Sequence, residues 1–286
     1  MYKIVYKKEL NPTVVMMDIE APLVAKGAQA GQFIILRVDE EGERIPLTVA
    51  GYDRERGTVR IIFQIVGATT LALSQKAEGD SITDFVGPLG KPTNTDGVKD
   101  VCIVGGGVGC AIALPVARRF RELGCNVTSI IGFRSKELVI LEDEFRASSD
   151  ELTIVTDDGS YGEKGNVCMS LERLLSERSF DKVIAIGPLV MMKFVTASVK
   201  PYGIPCEVSM NPIMIDGTGM CGGCRLTLNI DGTRVTKFAC VDGPDFDAYT
   251  VDFDEAIRRS RAYYETERHA FTEACNLIKK GEMNNG

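Results

Sequence analysis

The stretch DVCIVGGGVGCAIALPVARRFRELG, residues 100–124, decides how this chain is read. An apolar run ends in Gly105, Gly106, Gly107 and Gly109, and an amphipathic helical pattern follows and closes on Gly124. Glycines between a buried strand and a helix let the backbone approach a pyrophosphate, and the helix N-terminus attracts its charge. The spacing is not the G-x-G-x-x-G of the usual dinucleotide fold, and a tight turn without ligand is the plain alternative. The next apolar run, CNVTSIIGFR, ends on Arg134 and Ser135 where a ribose-binding carboxylate would be expected. Arg134 suits a 2′-phosphate, so strand chemistry leaves NAD and NADP both open.

Outward from this loop the pattern alternates. KELVILEDEFRASS reads as helix, ELTIVTDDGS as strand, NVCMSLERLLSERSF as helix and KVIAIGP as strand. That order predicts a doubly wound parallel sheet over residues 98–205. Upstream, residues 1–97 hold short apolar runs (PTVVMMDIE, GQFIILRVD, IPLTVAGYD, GTVRIIFQIV) at about ten-residue intervals, as in an antiparallel barrel or sandwich. One helical stretch, TTLALSQKAEGD, interrupts them. Residues 206–248 lose the alternation: they are glycine-rich, carry three clustered cysteines, and contain a hairpin turning at Asp231-Gly232. The tail, 249–286, reads as one or two amphipathic helices forming a packing arm or subunit contact.

Composition narrows the function classes. The 286 residues carry a formal charge of −7, which argues against a nucleic-acid surface. No apolar run approaches a bilayer span, and the N-terminus lacks a signal-peptide core, so a soluble cytoplasmic protein is expected. With one histidine, His269, and no tryptophan, most histidine-based catalysis is unavailable. Six of the nine cysteines stand singly in apolar segments and read as buried thiols; Cys221, Cys224 and Cys240 are the exception.

A G-G-G-x-G loop behind a β-rich first domain resembles the ferredoxin–NADP reductase superfamily. Within RIPLT, Arg44, Pro46, Leu47 and Thr48 match that family's flavin motif, in which the arginine meets the FAD pyrophosphate and the hydroxyl sits beside flavin N5. The charge logic is that of a guanidinium fork on phosphate. VGATTLAL resembles the second flavin segment, with Gly67, Thr69 and Thr70 offering amides to the diphosphate. GPLG, from Gly87 to Gly90, matches the loop beneath the flavin. IAIGPLVMM places Gly187, Pro188 and Met191 where the family's C-G-P-x-x-M segment borders the nicotinamide. Ile186 replaces the cysteine found there in many members, which weakens the carry-over of a catalytic role to that position; hydride transfer needs alignment and exclusion of water rather than an acid or base.

The cysteines then acquire a context. A flavin accepts electrons in pairs and releases them singly to an iron–sulfur cluster. Asp216-x4-Cys221-x2-Cys224-x15-Cys240 follows the plant-type 2Fe–2S spacing with aspartate in the first place. A zinc site would want a second CxxC or a histidine nearby, and a redox dithiol would open a helix; CGGCRLTLNI does neither. Asp216 is the expected fourth ligand, with a turn-capping carboxylate as the alternative.

The whole chain resembles electron-transfer subunits of the dihydroorotate dehydrogenase B type. Among these, the aspartate and the helical tail look like the small subunit of NADH-dependent reduced ferredoxin:NADP oxidoreductase, an electron-bifurcating heterodimer. That resemblance implies FAD, one 2Fe–2S cluster and NAD(H) on this chain. It implies a partner subunit resembling the small chain of glutamate synthase, with FAD, 4Fe–4S clusters and the NADPH site, and ferredoxin reached through the complex. The electron-transfer subunits of dihydroorotate dehydrogenase B and of sulfide dehydrogenase are the nearest alternatives. The expected architecture is an antiparallel β-barrel FAD domain, an α/β parallel-sheet NAD domain and a small C-terminal 2Fe–2S domain with a helical tail.

Overall fold

The computed structural model describes residues 1–284, with side chains described through Asn276. The first module is a seven-stranded antiparallel sheet. It comprises β1 (Tyr2–Asn11), β2 (Val14–Glu20), β3 (Phe33–Arg37), β4 (Arg44–Asp53), β5 (Thr58–Gln64), β6 (Ser81–Ile82) and β7 (Asp84–Leu89), in the order β6-β1-β2-β5-β4-β3-β7. Helices α1 (Pro22–Gly27) and α2 (Ala68–Gln75) lie between strands. VVMMDIE and FIILR are continuous apolar runs buried on both faces: Met17, Ile19, Ile34 and Leu36, with Ile61 of β5, are fully buried on the inner face, while Val14, Met16, Phe33 and Ile35 pack outward against the other modules. The expected antiparallel β-barrel is present as a half-barrel: among the described residues β6 pairs only with β1 and β7 only with β3, so the curled sheet stays open between them. Its β6 edge is only two residues long, too short to complete a ladder.

The second module is built from β8 (Asp100–Gly106), α3 (Gly109–Glu122), β9 (Asn126–Phe133), α4 (Glu142–Ser148), β10 (Glu151–Thr156), β11 (Glu163–Lys164), α5 (Val167–Glu177), β12 (Lys182–Ile186), α6 (Leu189–Val199) and β13 (Cys206–Ser209). Strands run β11-β10-β9-β8-β12-β13, all parallel, as the alternating sequence predicts. Continuous apolar runs suit strands buried on both faces. The helical reading of 136–149 divides in two: a 3-10 turn at Lys136–Leu138 and then α4, separated by Leu141 at φ 61°. Helix α5 is started by the Asn166 side chain, which accepts from the amides of Cys168 and Met169.

The cysteine module carries the hairpin β14 (Arg225–Ile230) and β15 (Thr233–Phe238), turning at Asp231 (φ 48°) and Gly232 (φ 78°) as expected for a type I′ turn. Helix α7 (Ala239–Asp242) follows, and β16 (Asp245–Asp247) then joins β13 antiparallel. The segment read from the sequence as opening the cysteine module at 206 therefore lends two strands to the nucleotide sheet, which becomes mixed. Cys206 and Val208 are buried in that sheet's core, and the preceding YGIP had obscured the strand's continuity. The tail forms α8 (Phe253–Ser260), capped by Asp252, and α9 (Tyr264–Asn284), which runs against α2.

The modules share their cores. Met16, Ala50 and Ile62 of the first sheet pack with Ile103 and Ile186 of the second and with Ala111 of α3. Phe33 and Ile35 pack with Met210, Met214, Cys224 and Cys240. Large side chains buried across a boundary each contribute about 1.5–3 kcal/mol, so these modules hold one another in register.

Candidate functional site

Two glycine segments meet at the carboxyl ends of the parallel strands. Gly105–Gly109 follows β8, and Gly187, Pro188 and Met191 follow β12, which pairs with β8 through Ile186↔Gly105. A side chain at Gly109 would lie 2.5 Å from the Ile186 carbonyl oxygen, so the first turn of α3 can abut β12 only as glycine. The Met191 side chain covers Gly106, with its Cε 3.4 Å from where a Cβ would stand. Ligands of open α/β sheets bind in this crevice. Arg134 lies on the same edge, exposed at the end of β9, and its carbonyl accepts from the Asp158 amide at 3.3 Å. The acidic residues that the second strand lacks stand one strand further out, as Asp157 and Asp158 after β10.

Thr156–Gly165 is a loop whose build sequence reasoning missed. Thr156 Oγ1 donates to the Tyr161 carbonyl at 2.7 Å and accepts from its amide at 3.1 Å. Tyr161 donates its hydroxyl to Glu142, and Lys136 stands over its ring at 5.4 Å. The signal was present in TDDGSYGEKG, whose Gly159, Gly162 and Gly165 all adopt positive φ.

The flavin-motif residues line one strand. Arg44 opens β4 and its guanidinium lies 3.6 Å from Asp84. Pro46, Leu47 and Thr48 pair with Ile35, Ile34 and Phe33 of β3. Gly67 caps α2; Thr70 Oγ1 accepts from the amides of Val66 and Gly67, while Thr69 donates to Glu43 at 3.1 Å. The first-turn amides of α2 have no intrahelical acceptor, which suits an anion. Gly87 lies against Ile34 and Phe33, and Gly90, at φ 73°, lies against Phe33 and Pro244.

A cleft joins all three modules. Pro46 and Thr48 of β4, Ile112 of α3, and Ser209, Met210 and Met214 at the entrance to the cysteine module line it together. The cleft is narrow, about 20 Å³, and marks the point where the three modules meet, with largely apolar walls and a few polar groups.

The cysteine loop docks against the half-barrel: a Cβ at Gly217 would stand 2.6 Å from a Leu89 methyl and 3.1 Å from Ile35 Cγ1. Gly217, Gly219 and Gly222 have φ of 75°, 85° and 67°, which explains the glycine content of DGTGMCGGC. Cys224 and Cys240 come together, Sγ to Sγ 3.2 Å, and both are buried. Cys221 is exposed, its sulfur accepting from the Gly223 amide at 3.4 Å. Asp216 accepts from the amides of Thr218 and Cys221, each at 2.9 Å. Among the described residues no three of these groups converge on one point, as a mononuclear zinc site would require. Burial, with the Cys224 thiol beside it, pushes the Cys240 thiol up to about 12. Two adjacent buried thiols and an exposed third on the same glycine-rich loop are a thiol-rich donor set of the kind an iron–sulfur cluster takes.

Half-barrel, mixed sheet and cysteine hairpin together define a ferredoxin-reductase-like flavoprotein fold with an added iron–sulfur module. Residues 211–252 match the iron-sulfur cluster binding domain of dihydroorotate dehydrogenase B. A Thermotoga maritima protein named as a homolog of the dihydroorotate dehydrogenase B (NAD(+)) electron transfer subunit is 47% identical, over 94% of both chains. The corresponding subunit of Streptococcus pneumoniae is 34% identical, over 87% of this chain and 96% of its own. A chain of the solved NADH-dependent reduced ferredoxin-NADP oxidoreductase superposes with a TM-score of 0.90 at 44% identity, covering 96% of this chain and 97% of that one. The chain belongs to the family of dihydroorotate dehydrogenase B electron-transfer subunits and their homologues.

Proposed function

We propose that this chain is the NAD(H)-oxidising electron-transfer subunit of an electron-bifurcating NADH-dependent ferredoxin:NADP oxidoreductase. The observation that carries it is the three-module cleft, where Thr48, Ile112 and Met214 bring the flavin strand, the nucleotide helix and the cysteine loop to one place. When bound, FAD and a 2Fe–2S cluster supply the conversion between paired and single electrons. The protein's part is binding and alignment. Arg44 and the first turn of α2 hold the FAD diphosphate, Thr48 and Pro46 face the ring, and Gly87 and Gly90 shape the floor. Gly105, Gly106, Gly107 and Gly109 hold the dinucleotide pyrophosphate, and Gly187, Pro188 and Met191 seat the nicotinamide and exclude water. Arg134 takes the adenosine end.

Asp216, Cys221, Cys224 and Cys240 hold the cluster, with the carboxylate as fourth donor. Cys221, Met220 and Ile215 are exposed beside the buried cysteine pair, leaving that side of the loop open to a partner. The partner is a larger flavin and 4Fe–4S subunit resembling the small chain of glutamate synthase, through which ferredoxin is reached. No described helix is long and apolar enough to cross a membrane; the reading places the complex in the cytoplasm.

Similarity to the oxidoreductase chain, at 44% over nearly the whole length, supports this reading over a dihydroorotate dehydrogenase B subunit; relatives named as that subunit itself are 31–35% identical, and the 47% relative is named as its homolog. The test is the purified chain: a flavin spectrum bleached by NADH and about two irons per chain are expected. Absence of flavin, or zinc in place of iron, overturns the reading; the co-purifying subunit identifies the complex.

A further inference from the structure

Helix α8 begins just beyond the segment 211–252 that matches the cluster-binding domain, yet it is fastened to the hairpin that carries two of the cysteines. The Asp252 amide donates to the Thr227 carbonyl at 3.0 Å, and the Asp252 side chain caps the helix by accepting from the Glu255 amide at 2.9 Å. Thr227 Oγ1 donates to Glu255 Oε1 at 3.0 Å, and Arg234 of β15 pairs with Glu255 Oε2 at 2.5 Å. Beneath these contacts Phe253 is buried in the same core as Leu226, Leu228, Cys224 and Cys240. Asp254 pairs with Lys193 of α6 at 2.7 Å. The first turn of α8 is thus fixed on two sides before the chain reaches its last turn.

Arg259 stands in that last turn and reaches back to the cysteine loop: its guanidinium donates to the Gly223 carbonyl at 3.4 Å. Gly223 lies between Cys221 and Cys224, and its own amide donates to the Cys221 sulfur at 3.4 Å. One residue is held at both polar ends, by a cation on its carbonyl and by a sulfur on its amide. The ordinary partner of an arginine here would be Glu255, four residues earlier on the same helix face. Glu255 is already engaged by Arg234 and Thr227, and among the described residues no carboxylate pairs with Arg259. Arg258 shares the turn and is exposed, so attraction to the helix end does not by itself bring a side chain to the loop.

We infer that Arg259 positions the cysteine loop and makes the cluster held there easier to reduce, a role that rests on the iron–sulfur reading given above. Two physical effects act in the same sense. One electron entering the cluster adds one negative charge to the loop, and a guanidinium fixed on the adjoining peptide favours that charge. Holding Gly223 by its carbonyl also keeps its amide on Cys221, and amide donors on ligand sulfurs stabilise the more negative state. Asp216 works against both, because its carboxylate brings negative charge to the same loop.

The other cations of the module are placed differently. Arg234 is neutralised by Asp252 and Glu255, and Lys237 by Asp242. Arg225 opens β14 on its exposed face, opposite the buried Leu226. Arg259 is half-buried, and a half-buried charge is screened less by solvent than an exposed one. Cys221 lies outside the core that encloses Cys224 and Cys240, so the Gly223 turn is where a charge from α8 acts on the cysteine loop.

The test is a reductive titration of the cofactor-loaded full chain, read by electron paramagnetic resonance of the reduced cluster. At wild-type iron content the midpoint potential should be lowered least by Arg259→Lys, further by Arg259→Gln and most by Arg259→Glu. The conservative variant separates charge from shape, since an ammonium keeps the first and loses the fork. An unchanged or raised potential in an iron-replete Arg259→Gln or Arg259→Glu overturns the inference, as does a shift in Arg259→Lys equal to that in Arg259→Gln. If Arg259→Gln and Arg259→Glu take up no iron while Arg259→Lys does, the charge is what holds the loop, which supports it. Loss of iron from all three marks a purely structural side chain and overturns it. A wild-type chain without a 2Fe–2S signal would instead fail the functional reading itself.

Discussion

The sulfurs of Cys224 and Cys240 lie 3.2 Å apart although sixteen positions separate them. The β14–β15 ladder pairs Arg225 with Phe238, so the residues just beyond its open end are brought together. The Ala239 amide donates to the Cys224 carbonyl at 3.1 Å and locks the approach. Cys221, three residues earlier, stays at the surface.

Cluster-free protein should therefore oxidise at one place. A dithiol-oxidising reagent would accept two electrons and two protons from Cys224 and Cys240, whose sulfurs need to close to about 2.0 Å. Peptide mapping should find that one disulfide, with Cys221 still alkylated. Prior cluster insertion should block it, since bound thiolates are not free to exchange.

Asp216 has two separable duties. Its carboxylate accepts two loop amides, so Asp216→Ala should cost about 1–2 kcal/mol in denaturant unfolding of the cluster-free chain. Asp216→Asn keeps an acceptor for the loop while weakening a donor to iron. An altered visible spectrum in Asp216→Asn with the loop intact would mark ligation; unchanged spectrum and iron content would leave capping as its whole role.

Gly109→Ala should separate the two cofactors. A methyl group there meets the Ile186 carbonyl oxygen and the Gly187 backbone, neither of which is a flexible side-chain end. The glycine loop must shift, at about 1–3 kcal/mol. The expected result is a KM for NADH raised at least tenfold with flavin content unchanged; loss of flavin instead would show that the damage spread to the half-barrel.

Arg44→Ala should do the reverse. The guanidinium is half-exposed and its contact with Asp84 is long, so folding stability should change by less than about 0.5 kcal/mol. FAD retention on gel filtration should fall, and Arg44→Lys should restore it only in part, because an ammonium lacks the fork.

Acid sensitivity has an assignable contributor in Asp150. It accepts from the Val127 amide at 2.9 Å and pairs with Arg121, tying the start of β9 to the end of α3. The Val127 hydrogen bond chiefly holds its carboxyl below the ordinary range, aided by Arg121. A lowered folded value means stability present above the unfolded pKa and lost as pH falls through the folded one. Asp150→Asn should therefore reduce the acid-dependent loss of melting temperature, by a small amount because the pair is largely solvated.

The legible parts of the fold were those written in periodicity. Strands β2 to β5 and the β8–α3–β9 unit follow from period-two and continuous apolar runs, and the hairpin turn follows from Asp231-Gly232, whose backbone demands are local. What stayed hidden depended on distant pairing. Nothing in Cys206–Ser209 announces that it continues a sheet begun a hundred residues earlier, or that Asp245–Asp247 returns to it. The short edges that leave the half-barrel open are likewise a property of pairing. Leu141, at positive φ in the middle of a helical pattern, split that pattern where propensity favoured continuity.

The site divides in the same way. The sequence by itself determined the chemistry available: a guanidinium and a hydroxyl in RIPLT, glycines at the two helix starts, three cysteines and an aspartate at iron–sulfur spacing. These are short-range patterns, and each carries its physical reason within a few residues. Only the tertiary structure decided that Thr48, Ile112 and Met214 face one cleft, that Cys224 and Cys240 are buried together while Cys221 is exposed, and that Arg259 of α8 reaches back to Gly223. Those facts come from packing three modules on shared cores, and packing joins residues that no local pattern connects.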